Sequence, residues 1–216
     1  MRLSYLAGDR PDLAETVKVL AQQMSTPRES SLVDLKRAVR YLIGARRLVH
    51  RYERQNVADS PLHAKVDSDW AGCPVTRRST TGMIVMRGKH VLRHGSWLQI
   101  PISLSSAEAE FYALTKGAAY LLGTESHFGD WGIDTGLIRV LHTDSSSAKS
   151  FSSRRGLGKQ RHVNTRYLWL QDQVAAGHLR VDKIKGDDNS ADLLTKALSF
   201  EMIKGHLSRI SCEIRE

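Results

Sequence analysis

From Ala64 onward the hydrophobic pattern changes period in an order that leaves few folds open. "AKVDSDWA", "GMIVMRGK" and "HVLRHGSWLQI" read as three strands, the last two parted by a Gly-containing turn. Successive strands joined by such short connections pair as antiparallel hairpins. "LSSAEAEFYALTKGAAYLLGTES" then switches to helical spacing. Ser105, three residues before Glu108, reads as a capping box, and Leu114, Ala118 and Leu121 share one stripe. The apolar run from Leu137 to Leu141 leads to Asp144 and predicts a fourth strand followed by a short helix. "NTRYLWLQDQVAAG" predicts a helix closed by Gly177, "HLRVDKIKG" a fifth strand, and "SADLLTKAL" a last helix with Ser190 as N-cap. The order βββ-α-β-α-α-β-α predicts an α/β fold, one mixed five-stranded sheet flanked by helices.

The chain ahead of that region reads differently. Behind Pro11, Leu13, Val17, Leu20 and Met24 recur at helical spacing until Pro27. Leu32, Leu35, Val39, Leu42 and Ile43 resume it, with Gly44 as the stop. No strand pattern is visible here, and two helices alone enclose no core. Leu20, Leu35 and Leu42 therefore need a missing partner or the sheet to cover them. The expected organisation is a helical segment at 1–58, a sheet domain at 63–198 and a tail helix in 199–216, with "RQNVADSP" as the link.

No apolar run approaches the ~18 residues of a membrane span. Met1 to Tyr5 opens no signal peptide, so the expectation is an unsecreted protein. Cys73 and Cys212 form no CxxC pair, which argues against a structural zinc or a disulfide framework. Lys and Arg total 32 against 23 Asp and Glu, a net charge of +9. That surplus favours polyanionic partners, although a solvated basic surface is the plainer reading. The basic residues cluster: Arg37, Arg40, Arg46, Arg47, Arg51 and Arg54 in one stretch, and Arg154, Arg155, Lys159, Arg161 and Arg166 in another.

The acids fall at informative places. Asp67 and Asp69 close the first strand, Glu110 lies early in the strong helix, Asp144 ends the fourth strand, and Asp192 begins the last helix. Each has an ordinary explanation as a helix cap, a dipole partner or a turn residue. Together, four carboxylates from two strand ends and two helices can converge at one edge of a sheet. They would repel unless a divalent cation lay among them, and hard oxygen ligands suit Mg²⁺ or Mn²⁺. Ser145 with His142 makes no serine triad, because no strand-to-helix G-x-S-x-G elbow is present.

Five blocks, "VDSDWAGCPVTRRSTTG", "LSSAEAEFYALTKGA", "VLHTDSSSA", "KQRHVNTRYLWLQD" and "NSADLLTKAL", resemble the ribonuclease H domain of copia-type retrotransposon polyproteins. They occur in that family's order between Lys65 and Leu198. "YLAGDRPDLAETVKVLAQQM" and "LKRAVRYLIGARR" resemble the stretch that joins a reverse transcriptase to that domain. The resemblance implies a ribonuclease H-like βββαβαβα sheet with one extra helix. It implies Asp67, Glu110, Asp144 and Asp192 as catalytic, metal-ligating acids for two Mg²⁺ or Mn²⁺ ions, with Glu108 left as the capping partner of Ser105. The substrate implied is the RNA strand of an RNA–DNA hybrid, with Arg77, Arg78, Arg161, His162 and Arg166 as backbone contacts. A structural hydrogen bond is the competing role for His162. The implied partner is the reverse-transcriptase part of the same polyprotein. The implied setting is a cytoplasmic virus-like particle or the nucleus.

Two features depart from that pattern. The loop "KIKGDDNSAD" has no histidine, and "LQIPISLSS" after Trp97 is apolar where relatives tend to be Lys-rich. The alternative reading is a catalytically silent, nucleic-acid-binding remnant of such a polyprotein.

Overall fold

The computed structural model describes residues 2–56, 60–133, 139–158 and 161–215. Leu137, Ile138 and Lys159, used in the sequence reading, lie outside the described residues. In chain order the elements are α1 (Arg2–Leu6), α2 (Ala14–Gln22), α3 (Glu29–Gly44), β1 (Arg47–His50), β2 (Leu62–Asp69), β3 (Thr80–Arg87) and β4 (His90–Leu98). They continue as α4 (Ser106–Asp130), β5 (Arg139–Thr143), α5 (Ser146–Ser152), α6 (Trp169–Ala175), β6 (Leu179–Lys183), α7 (Phe200–Ser208) and β7 (Cys212–Arg215). Short 3₁₀ turns at Pro11–Leu13, Thr165–Leu168, Gly186–Asp188 and Ser190–Leu194 link them.

The expected five-stranded mixed sheet is present, in the order β4-β3-β2-β5-β6. β2, β3 and β4 pair antiparallel, and β5 and β6 add on in parallel. The β3–β4 turn runs through Gly88 at φ +55°, a conformation that favours glycine.

Both faces of the sheet are covered, so β3 reads as a continuous buried run instead of an alternating one. α4 crosses one face, and Phe111, Leu114 and Leu121 pack there against Val66, Val85 and Leu141. Gly117 lets α4 approach, since a Cβ there would lie 2.6 Å from Val66 Cγ2. The other face carries Ile84, Met86 and Val91. Ala14, Leu193, Leu194, Leu207 and Ile210 cover it, drawn from both ends of the chain.

The start of the N-terminal segment docks on the sheet, while Leu35 of α3, for which a cover was expected, stays 39% exposed. Leu13 and Ala14 are buried, and Lys18 Nζ donates to Thr80 Oγ1 at 2.7 Å. A buried Arg10–Asp12–Tyr41 network stiffens it, with Arg10 Nη2 and Tyr41 Oη both 2.6 Å from Asp12 Oδ2. The segment is not wholly helical, because β1 pairs antiparallel with β7. The tail is thus a helix followed by a strand. Neither strand shows a pattern of its own; each is held by its partner from the far end of the chain. Among the described residues no helix is long and apolar enough to cross a membrane.

Candidate active site

β2 and β5 are parallel neighbours, so their C-terminal ends emerge side by side. Asp67 lies at the end of β2, and Asp144 follows β5 directly. Asp144 is not the cap of α5. Ser145 takes that role, its Oγ accepting from Ala148 N at 3.2 Å. The carboxylate of Asp144 is thereby left for the strand edge.

Asp192 arrives from a different direction. Gly82 of β3 is the register partner of Asp67. A Cβ on Gly82 would lie 2.8 Å from Ala191 O and 2.7 Å from Thr195 Cγ2. The bare glycine lets the Ser190–Leu194 turn rest on the sheet, which carries Asp192 to Asp67. The sequence reading had a helix here capped by Ser190. The element is a short 3₁₀ turn, and its cap is Asn189, whose Oδ1 accepts from Ala191 N at 3.3 Å. Asn189 Nδ2 also donates to Val66 O at 2.9 Å, which fastens the turn to β2.

One carboxylate oxygen from each of Asp67, Asp144 and Asp192 lies within 4.8 Å of the others. Glu110 borders this set but is not part of it. Its Oε1 accepts from Ser68 N at 3.0 Å and Ser68 Oγ at 2.9 Å, and Thr143 Oγ1 lies 3.4 Å from Oε2. Burial, followed by the charge of Asp67, raises the Glu110 pKa to about 8. The same two causes raise Asp192 to about 6 and push Asp144 upward. Asp69 is also raised, chiefly by burial. Burial is thus the larger cause at all four carboxyls, and the charge of Asp67 is the lesser one at Glu110, Asp144 and Asp192. Three hard oxygens at that spacing, two of them on half-buried residues, fit a divalent cation. Asp67, Asp144 and Asp192 are the residues that could hold one, with Glu110 at the margin.

Two side chains that touch the acids have no counterpart among the residues expected from the sequence. Thr195 Oγ1 donates to Asp67 Oδ2, and Lys196 Nζ lies 3.3 Å from Asp67 Oδ2 and 2.9 Å from Asp192 Oδ1. The signal was available, since Lys196 follows Asp192 by four residues.

Arg77, at φ +56°, and Arg78 occupy the loop after β2, closed by Arg77 N to Cys73 O at 2.8 Å. Arg161 and Arg166 are exposed. His162 Nε2 lies 2.8 Å from Glu108 Oε2, so of its two weighed roles the structure supplies the hydrogen bond. Glu108, only 1% exposed, accepts from Leu104 N and Tyr112 Oη as well. Ser105 caps α4 as expected, its Oγ accepting from Glu108 N at 3.2 Å, while the Glu108 carboxylate reaches back to Leu104 N instead of Ser105 N.

No family model matches the chain. In sequence it is similar to the retrovirus-related Pol polyprotein from transposon RE1 of Arabidopsis thaliana, 32% identical over 209 residues, or 96% of this chain and 14% of that polyprotein. The corresponding polyprotein from transposon TNT 1-94 of Nicotiana tabacum is 29% identical over 199 residues, 90% of this chain and 15% of that one. The chain thus spans about one seventh of the length of these curated relatives. Among solved structures, LC11-RNase H1, isolated from compost, aligns with 62% of this chain and 92% of its own, at a TM-score of 0.44 and 16% identity.

Proposed function

The chain belongs to the retrovirus-related Pol polyproteins of copia-type transposons, and we propose that it hydrolyses the RNA strand of RNA–DNA hybrids as their ribonuclease H part. The observation that carries this reading is the meeting of Asp67, Asp144 and Asp192 from three separate elements. In this reading 63–198 is the nuclease unit, and 1–58 is the end of the adjoining reverse transcriptase, which is its partner in the polyprotein.

Asp67, Asp144 and Asp192 would hold two Mg²⁺ or Mn²⁺ ions, with Glu110 as the fourth ligand. Such ions, when bound, activate water for attack on phosphorus and stabilise the leaving 3′ oxygen. The remaining work belongs to the chain. Ser68 fixes the Glu110 carboxylate through two hydrogen bonds, and Thr195 orients Asp67. Asn189 keeps Asp192 in reach of Asp67 by tying its turn to β2. Arg77, Arg78, Arg161 and Arg166 would take backbone phosphates. His162 stays with Glu108 and steadies the start of α4. Selection of RNA over DNA would come from 2′-hydroxyl contacts and groove shape, with little base preference.

One observation speaks against a tightly held hybrid, and with it against turnover. Ile100, Ile102 and Leu104 are 73%, 56% and 66% exposed, so the surface after Trp97 offers no cation to a phosphate backbone.

A labelled hybrid incubated with the full chain and Mg²⁺ or Mn²⁺ separates the nuclease from the silent, binding-only alternative. The expected result is metal-dependent cleavage of the RNA strand that falls to background in Asp67→Asn and in Asp144→Asn. Hybrid binding by all three proteins with no cleavage by any would establish the silent module instead.

A further inference from the structure

Lys196 brings a positive charge into the acidic cluster. Its ammonium contacts both Asp67 and Asp192, whose side chains are 2% and 15% exposed. Its backbone is set by the turn that delivers Asp192, with Lys196 N donating to Asp192 O at 3.1 Å. The side chain itself is 40% exposed, and a lysine stem has rotatable bonds enough to swing outward.

Asp67 Oδ2 receives both this ammonium and the Thr195 hydroxyl. That oxygen is therefore already engaged on the side where Asp192 faces it. A divalent ion drawing on the same oxygens would stand within a few ångströms of the ammonium, and like charges that close repel strongly. The two cations compete for Asp67 Oδ2. Without an ion, however, the ammonium offsets the mutual repulsion of the carboxylates and holds two of them at bonding distance.

We propose that Lys196 is a resident counter-cation of the site: it holds Asp67 and Asp192 together in the metal-free chain and is displaced from Asp67 when a divalent ion binds. This rests on the metal-site reading above and adds to it that loading is an exchange of one cation for another. Two consequences follow. The carboxylates are gathered before the ion arrives, and ion affinity is set lower than the carboxylates alone would allow.

Calorimetric titration of the full chain with MnCl₂, beside Lys196→Met and Lys196→Arg, tests the exchange. Lys196→Met should bind Mn²⁺ about tenfold more tightly, the scale of one charge-assisted hydrogen bond no longer broken. It should also melt at a lower temperature without the ion and gain more on its addition. Lys196→Arg, which keeps the charge, should stay close to the wild type. A folded Lys196→Met that binds Mn²⁺ no more tightly than the wild type, which itself binds, overturns the counter-cation and leaves the metal site standing. Absence of binding by every chain at millimolar Mn²⁺ overturns the metal site, and the counter-cation with it.

The wild type supplies an independent readout should Lys196→Met fail to fold. In ¹⁵N-lysine spectra the Lys196 ammonium should exchange slowly without ion and lose that protection as Mg²⁺ saturates. An ammonium signal unmoved by saturating Mg²⁺ would overturn the proposal.

Discussion

A methyl group on Gly82 would meet Ala191 O, Thr195 Cγ2 and Leu194 Cβ, all closer than 3 Å. A methyl on Gly117 would meet Val66 Cγ2 at 2.6 Å. The two glycines perform the same service on opposite faces of the sheet, and the comparison separates packing from site assembly. Gly82→Ala and Gly117→Ala should each destabilise the chain by about 1–3 kcal/mol through overpacking. Gly82→Ala alone should weaken Mn²⁺ binding, because it lifts the Ser190–Leu194 turn and Asp192 away from Asp67. Urea unfolding together with Mn²⁺ titration of both variants checks this. Equal loss of ion affinity in both would refute the role given to Gly82.

At the scale of elements, the parallel pairing of β2 with β5 brings Asp67 and Asp144 to one edge, and the same pairing sets two half-buried histidines side by side. His63 on β2 and His142 on β5 stand with ring centroids 5.3 Å apart. His63 Nε2 bonds Gly88 O at 2.8 Å in the β3–β4 turn, while its buried Nδ1 has no hydrogen-bond partner. A second proton would have to go to that unpartnered nitrogen. Burial accordingly lowers the His63 pKa, and Lys65 adds to the effect, against the Gly88 carbonyl, which raises it. A histidine whose folded pKa is depressed supports the fold fully above its ordinary value of about 6.5. Below that pH the unfolded chain takes up the proton first, and the support is lost as pH falls toward the folded pKa. The stability advantage of the wild type over His63→Gln should therefore shrink between pH 7.5 and pH 5. Urea midpoints at the two pH values measure it, and a gap that stays constant or widens would rule out this reading of His63.

Across the whole molecule, the two chain ends are part of the sheet's second core. Ala14, Leu207, Ile210 and Cys212 close over Ile84, Met86 and Val91, and β1 pairs with β7 beside them. Each large apolar side chain returned to water costs about 1.5–3 kcal/mol. The total stability of a domain is only about 5–15 kcal/mol. A fragment limited to 60–198 should therefore lose its cooperative urea transition and bind an apolar dye, whereas the full chain should unfold in one transition. A fragment that unfolds with the full chain's midpoint would show that the ends are dispensable.

The sequence by itself determined the order of the five strands of the main sheet, the two-sided burial of that sheet, and the strand ends and helix that carry Asp67, Asp144 and Glu110. These are local matters, readable from period, caps and breakers such as Ser105, Gly177 and Pro27. Only the tertiary structure decided three other things. It fixed which carboxylates meet, drawing in Asp67, Asp144 and Asp192 while Ser68 holds Glu110 at the margin. It paired β1 with β7, strands with no pattern of their own. It also set Lys196 across Asp67 and Asp192. The physical reason is the same in each case. A contact between residues dozens to more than a hundred positions apart depends on how two elements pack, and at the site Gly82 and Asn189 govern that packing without leaving a periodic trace in the chain.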